Sequence, residues 1–213
     1  EFAQVEGIEG NEDAHPLLSR VTRDAKVRQL LAAPLLVCTI DHLVPATESQ
    51  RGGRQIAPML RLMSSDLVLD EPDDFDLGDL PALGRLVHWA GLLGSRVLLS
   101  SATLAPALVQ GLFEAYLAGR REYVKNRGAQ PGSAAPPAVC CLWLDEHDQR
   151  HSDCANTDTF MAQHTSYVQG RSERLASVAE VRRRAALLPL HIASAQDADA
   201  RHTGFAQAVL NAA

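Results

Sequence analysis

The chain has 213 residues, of which 46% are hydrophobic and 22% charged, enough apolar side chain for a packed core and too much for wholesale disorder. No apolar run approaches the roughly 18 residues that cross a bilayer, and the opening EFAQVEGIEGNEDAH has neither the basic nor the apolar part of a secretory signal. The net charge of −6 argues against a surface made wholly for nucleic acid while leaving room for a local basic groove.

Taken in chain order, the first apolar run is residues 35–38 (LLVC), followed by residues 66–69 (DLVL) and 96–99 (RVLL). Each is Leu/Val-rich and unalternating, the pattern of strands covered on both faces. Between the first two, residues 55–63 (QIAPMLRLM) predict a helix. Between the second two, residues 79–93 predict another, with Asp79 as N-cap, Pro81 in the first turn, and Leu83, Leu86, Val87 and Ala90 on one face. Thr39, Asp70 and Ser101, which close the three runs, stand 31 residues apart in succession. A βαβ unit takes about 30 residues, so the spacing predicts a parallel sheet whose three strand ends meet at one edge, where open α/β sheets bind ligands.

Residues 105–117 predict a further helix, with Leu108, Leu112 and Ala115 on one face. Residues 128–137 (GAQPGSAAPP) read as a linker or loop. Residues 138–144 (AVCCLWL) read as a buried strand, 145–158 as a polar loop, 159–188 as one or two Arg-rich helices, and 202–212 as a last short helix. The cysteines, Cys38, Cys140, Cys141 and Cys154, form no C-x-x-C pair and read as reduced and mostly buried, with a cytoplasmic location as the expectation.

Three strand ends carry polar groups suited to chemistry. Asp70-Glu71-Pro72-Asp73 follows the second run. Carboxylates there suit holding a metal ion through water and taking a proton from an attacking water. The same stretch, with five acids in seven residues, also reads as a solvated acidic turn. Ser101-Ala102-Thr103 follows the third run, as hydrogen-bond relays or as an ordinary helix N-cap. Thr39-Ile40-Asp41-His42 closes the first run, and Arg51-Gly52-Gly53-Arg54 makes a flexible cationic turn able to touch phosphates.

Together, these segments resemble the first motor domain of superfamily 2 helicases. Asp70-Glu71-Pro72-Asp73 resembles motif II, the DExD or Walker B box, and Ser101-Ala102-Thr103 resembles motif III. Thr39-Ile40-Asp41-His42 is similar to the T-I-D-Q segment of the helicase–nuclease of type I CRISPR interference. APMLRLMSSDLVLDEPDDF and LVHWAGLLGSRVLLSSATL resemble its type I-F form, in which the helicase is fused to a small adaptation subunit.

The resemblance implies an α/β fold: a partial RecA-like parallel sheet flanked by helices, with a mostly helical C-terminal extension. Residues 1–33 would precede the core, 34–121 would hold motifs II and III, 122–137 would link, and 138–213 would lead toward a second motor domain. It implies a hydrolase using ATP and Mg²⁺ in the parent, an antiviral DNA translocase and nuclease. Asp70 would serve Mg²⁺ through water, Glu71 would activate water, and Asp73 would link the nucleotide to Ser101, Ala102 and Thr103. Thr39, Asp41, Arg51 and Arg54 would lie beside single-stranded DNA. The implied partners are a guide-RNA surveillance complex, the adaptation integrase of the type I-F assembly and an inhibitor protein; no membrane is implied.

A motor also needs a P-loop, G-x-x-x-x-G-K-[ST]. The only lysines, Lys26 in DAKVRQ and Lys125 in YVKNRG, do not supply one. The chain therefore reads as the later part of a motor domain, a piece that lacks an initiating Met, holds no nucleotide tightly and does not hydrolyse ATP alone. The competing reading is a protein-binding or regulatory module without catalysis. Two further matches are weaker. Gly170-Arg171-Ser172-Glu173-Arg174 matches the arginine-finger pattern of motif VI but lies too close to Thr103, so an Arg-rich helix that includes Arg182-Arg183-Arg184 is the better reading. His147, His151 and Cys154 have metal-like spacing, with Asp148, Asp153 or Cys141 as a fourth ligand, in what equally reads as a polar loop.

Overall fold

A computed structural model of the chain describes residues 20, 22–48, 53, 55–127, 138–178 and 197–212. Its elements are α1 (Ala25–Ala32), α2 (Ile56–Ser64), β1 (Leu67–Asp70), α3 (Leu80–Leu93), β2 (Val97–Ser100), α4 (Pro106–Arg127), β3 (Val139–Leu144), β4 (Gln149–Cys154), α5 (Thr157–Ala176) and α6 (Ala198–Ala212). Short 3₁₀ turns occupy Ile40–His42, Val44–Thr47 and Pro72–Asp74. Two compact units divide the chain, Glu1–Gln169 and Gly170–Ala213. No helix among the described residues is long and apolar enough to cross a membrane.

The first unit is mixed α/β. β1 and β2 pair in parallel, from Leu67 opposite Val97 to Asp70 opposite Ser100, with α3 as the crossover. Leu67 and Leu69 point to the covered face and join Leu62, Leu83, Leu86, Val87, Ala90 and Leu112 in one apolar cluster. Leu83 and Leu86 are fully buried, each contributing about 1.5–3 kcal/mol by leaving water. Trp89 packs against this cluster from its edge. The Arg61 guanidinium donates to the carbonyls of Leu31 and Ala33, holding α2 against the C-terminus of α1.

Two expectations fail in this region. Residues 36–39 lie outside any helix or strand ladder, and Leu35 and Val37 are each 73% exposed. Composition predicts a strand there, but a strand forms only where a neighbour satisfies its backbone, and β1 and β2 pair only with each other among the described residues. Cys38 is consequently half-buried rather than the end of a covered strand. Asp79 precedes α3 as expected, but its side chain makes no capping bond; its carbonyl accepts from the amides of Ala82 and Leu83 instead.

α4 runs ten residues beyond the predicted end, to Arg127. Leu112 faces the first cluster, while Val109, Phe113 and Leu117, at a spacing of four, join Cys154 and Phe160 in a second. Phe113 stacks on Phe160 at 4.1 Å between centroids, and Trp143 packs on the same group. The second cluster is closed by an antiparallel hairpin, β3 with β4, from Val139 opposite Cys154 to Leu144 opposite Gln149. β4 corrects the polar loop expected over residues 145–158. The Asp145 carboxylate accepts from the amides of His147 and Asp148 and builds the turn. Cys154 is buried, Cys38 and Cys141 are half-buried, and Cys140 is exposed, against the expectation of mostly buried thiols. Burial pushes the Cys141 thiol well above its ordinary pKa, which makes it a poor nucleophile.

His164 on α5 is 6% exposed. Trp143 Nε1–H donates to its Nδ1 at 3.2 Å, so the neutral ring carries its proton on Nε2, which is buried without a partner among the described residues. Burial holds its pKa below the ordinary value. The unfolded chain therefore binds a proton more readily than the folded one. The stability contributed here is full above the unfolded value, about 6.5, and is lost as pH falls through it toward the lower folded value. The urea midpoint should decline between about pH 7 and pH 5 more steeply in the wild type than in His164→Gln. Equal slopes would refute the assignment.

In the second unit, α6 has Asp197 before its first turn, where the carboxylate accepts from the Asp199 amide and the carbonyl from the Arg201 amide.

Candidate functional site

The site is built where β1 and β2 end. Asp70 is the last residue of β1, exposed, and paired across the ladder with Ser100. Glu71 has φ 45° and ψ 55°, the left-handed region that costs a residue with a Cβ roughly 1–2 kcal/mol. Its amide donates to the Ser100 carbonyl at 2.7 Å and helps hold it there, although the buried Pro72 on its own steers the residue before it toward extended backbone. The chain then turns through Pro72–Asp74, closed by the Asp74 amide on the Glu71 carbonyl. Glu71 stays exposed at the rim.

That turn brings Asp73 to the loop after β2. The Thr103 hydroxyl donates to Asp73 Oδ2 at 2.8 Å, and the Thr103 amide donates to Ser101 Oγ at 3.1 Å. The hydroxyls of Ser101 and then Thr103 hold the Asp73 carboxyl below the ordinary carboxylate range. Asp73 Oδ1 is buried with no hydrogen-bond partner among the described residues, so the carboxylate has a lone pair free for another donor. Thr103 is thus committed to Asp73 rather than to capping α4. Ala102 is exposed between the two hydroxyls.

The other sequence-predicted residues are not gathered here. Ile40 and Leu43 pack on the first cluster and seat the 3₁₀ turn that carries Thr39 and Asp41. Both side chains are exposed, and neither hydrogen-bonds to the Asp70–Thr103 group. Arg51 and Arg54 lie outside the described residues, as do Arg182, Arg183 and Arg184.

Among the described residues no three His, Cys, Asp or Glu side chains converge as a metal cage. Asp70 alone at a strand end fits a different role, accepting from the water shell of a divalent ion that other groups hold; Mg²⁺ keeps several waters in such sites. His147 lies in the hairpin turn, His151 on the exposed face of β4 and Cys154 on the buried face. The strand period separates the last two and leaves the metal-like spacing without a site. Gly170–Arg174 lies within α5, as expected for a helix.

Sequence reasoning missed Ser100, whose carbonyl fixes Glu71, and the left-handed turn itself. The sequence carried no signal for that turn, since proline steers the residue before it toward extended backbone, which Glu71 does not adopt.

No protein-family model matches the chain. It is similar to a CRISPR-associated nuclease/helicase Cas3, subtype I-F/YPEST, from Pseudomonas aeruginosa, at 56% identity over 180 residues, which make up 84% of this chain and 16% of that protein. Against the protein of the same description from Pectobacterium atrosepticum, identity is 50% over 201 residues, 94% of this chain and 18% of the relative. The chain thus spans between 16% and 18% of the length of these curated relatives. Among solved structures, a crystal structure described as T. fusca Cas3-AMPPNP is similar with TM-score 0.40 and 26% identity, over 59% of this chain and 14% of that one.

Proposed function

We propose a motor-segment role for this chain, which is homologous over most of its length to a part of the nuclease/helicase Cas3 of subtype I-F/YPEST, a protein of CRISPR interference. In this reading residues 34–121 hold the nucleotide-facing edge of a RecA-like first motor domain, and residues 138–213 lead toward the second. The parent hydrolyses ATP, moves along single-stranded DNA and degrades it after recruitment by a guide-RNA surveillance complex, with the adaptation integrase as a further partner. The observation that carries the reading is the Thr103–Asp73 hydrogen bond between the loops after β1 and β2.

When bound, Mg²⁺–ATP supplies the transferable phosphoryl group and the neutralising charge. Asp70, at the end of β1, accepts hydrogen bonds from the ion's water shell. Glu71, exposed at the rim, takes the proton of the attacking water. Asp73 holds Thr103 through Oδ2, and its unpartnered Oδ1 accepts a donor from the nucleotide side. A shift on that side therefore reaches the loop that opens α4. Thr39, Asp41, Arg51 and Arg54 line the DNA path.

The test is made in a protein of the relatives' full length. A hydrogen bond to a charged group contributes about 1.5–3 kcal/mol, so Thr103→Val should lower the DNA movement obtained per ATP by about ten- to a hundredfold. ATP hydrolysis should fall far less, and Thr103→Ser should restore movement. If Thr103→Val moves DNA as the wild type does, Asp73 and Thr103 form only a structural clasp.

A further inference from the structure

The second half of α4, Gly119-Arg120-Arg121-Glu122-Tyr123-Val124-Lys125-Asn126-Arg127, is richer in arginine than its packing requires. Arg120 and Arg127 lie three residues before and four after Tyr123, the spacing that puts all three on one helix face. The Arg120 guanidinium carbon is 4.5 Å from the Tyr123 ring centre and that of Arg127 is 5.2 Å from it. The ring is fixed from below. It packs on Gly94, the left-handed C-cap of α3 with φ 90°, where a Cβ would stand 2.5 Å from Cε2.

The charge here is uncompensated. Glu122, the nearest acid in sequence, is already bound by Lys125 at 2.6 Å. Arg120, Arg121 and Arg127 have no hydrogen-bond acceptor or carboxylate partner among the described residues. The patch also lies far from the strand-end site. The hydroxyl of Tyr116, one turn before Arg120, donates to the Ser95 carbonyl at 2.9 Å, which puts this stretch beside the entry to β2. Glu71 and Ser101 are at the other end of the strands, about 13 Å away at 3.3 Å per residue.

We propose that Arg120, Tyr123 and Arg127, with Arg121 beside them, form a docking surface for the phosphate backbone of a nucleic acid. Arg120 and Arg127 leave the helix about 10.5 Å apart along its axis and converge on one ring, 4.5 Å and 5.2 Å from its centre, so together they present two cationic forks to a polyanion. Their planar forks suit phosphate oxygens and are pre-organised by the ring. Because the charged groups address phosphates rather than base edges, binding is sequence-tolerant and salt-dependent. The surface is independent of ATP chemistry, so failure of the motor reading would leave it standing.

The experiment uses the full 213-residue chain and a fluorescein-labelled dT20 strand, read by anisotropy across a salt series, with folding of each variant checked by circular dichroism. Two lost phosphate contacts should weaken binding about tenfold and flatten the slope of log K against log salt by about 1.4 in Arg120→Gln/Arg127→Gln. Arg120→Lys/Arg127→Lys should keep most of the slope and lose affinity. Arg23→Gln/Arg85→Gln, with the same change in net charge, should leave both unchanged. Equal losses in that control, no loss in the Gln pair, or displacement of dT20 by polyglutamate at equal charge concentration would each overturn the proposal, the last by pointing to an acidic protein instead.

Discussion

Gly119→Ala should destabilise the chain by about 2 kcal/mol, while Gly111→Ala on the same helix should stabilise it by about 0.5–1 kcal/mol. α3 and α4 approach most closely where Gly91 faces Tyr116 and Arg120, and Gly119 faces His88 and Leu92. A Cβ at Gly119 would overlap the His88 carbonyl oxygen and stand 2.8 Å from the Leu92 nitrogen. Those are backbone atoms and cannot rotate aside. The helices must separate, loosening the contacts of Leu86, Val87, Ala90 and Leu112. Overpacking costs about 3 kcal/mol at the upper end of its usual range, and the better helix propensity of alanine returns about 1 kcal/mol. A Cβ at Gly111 meets nothing within 4 Å, so only the propensity gain remains. The urea midpoints of the two variants should move in opposite directions. Gly91→Ala combined with Gly119→Ala should cost less than the sum, because one separation accommodates both. A Gly119→Ala midpoint equal to wild type would mean that the helices do not cross this closely.

How much of this was legible depended on what each signal reports. The unalternating Leu/Val of β1 and β2 and the i, i+3, i+4, i+7 spacing of Leu83, Leu86, Val87 and Ala90 report burial, and there burial and structure agree. Residues 35–38 carry the same composition, yet composition does not supply a pairing partner, and Leu35 and Val37 stand exposed. β4 is the converse. Its inward positions are Arg150, Ser152 and Cys154, too polar to show alternation until β3 is known to lie beside them. α4 outruns its apolar pattern because its later turns are held by Gly119 against α3 and Tyr123 against Gly94, contacts that no period of one helix reveals. At the site, motif resemblance singled out two loops that the fold joins through Thr103 and Asp73, but the oxygen that Thr103 binds and the left-handed conformation of Glu71 came only from the fold. Thr39 and Asp41 sit on a separate turn that makes no hydrogen bond to Asp73 or Thr103, in keeping with a role apart from that pair.

Glu71→Gln should abolish ATP-driven movement in a protein of the relatives' full length while leaving nucleotide binding nearly intact. Gln has the shape of Glu and cannot take a proton, and a positioned general base contributes on the order of 10²–10⁴-fold. The fold gives no reason for collateral damage. Gln suffers the same left-handed cost at φ 45°, keeps the amide bond to the Ser100 carbonyl and exposes the same side chain. Asp70→Ala should differ by weakening nucleotide binding as well, because it would remove the contact proposed for the ion's water shell. A third substitution separates chemistry from strain. Glu71→Gly relieves a left-handed residue of about 1–2 kcal/mol, so it should raise the urea midpoint of the 213-residue chain while losing hydrolysis in the longer protein as fully as Gln does. That opposition of stability and activity is what a strained residue kept for its carboxylate predicts. Hydrolysis by Glu71→Gln within about tenfold of wild type, below the effect of a general base, would reduce Asp70-Glu71-Pro72-Asp73 to an acidic turn.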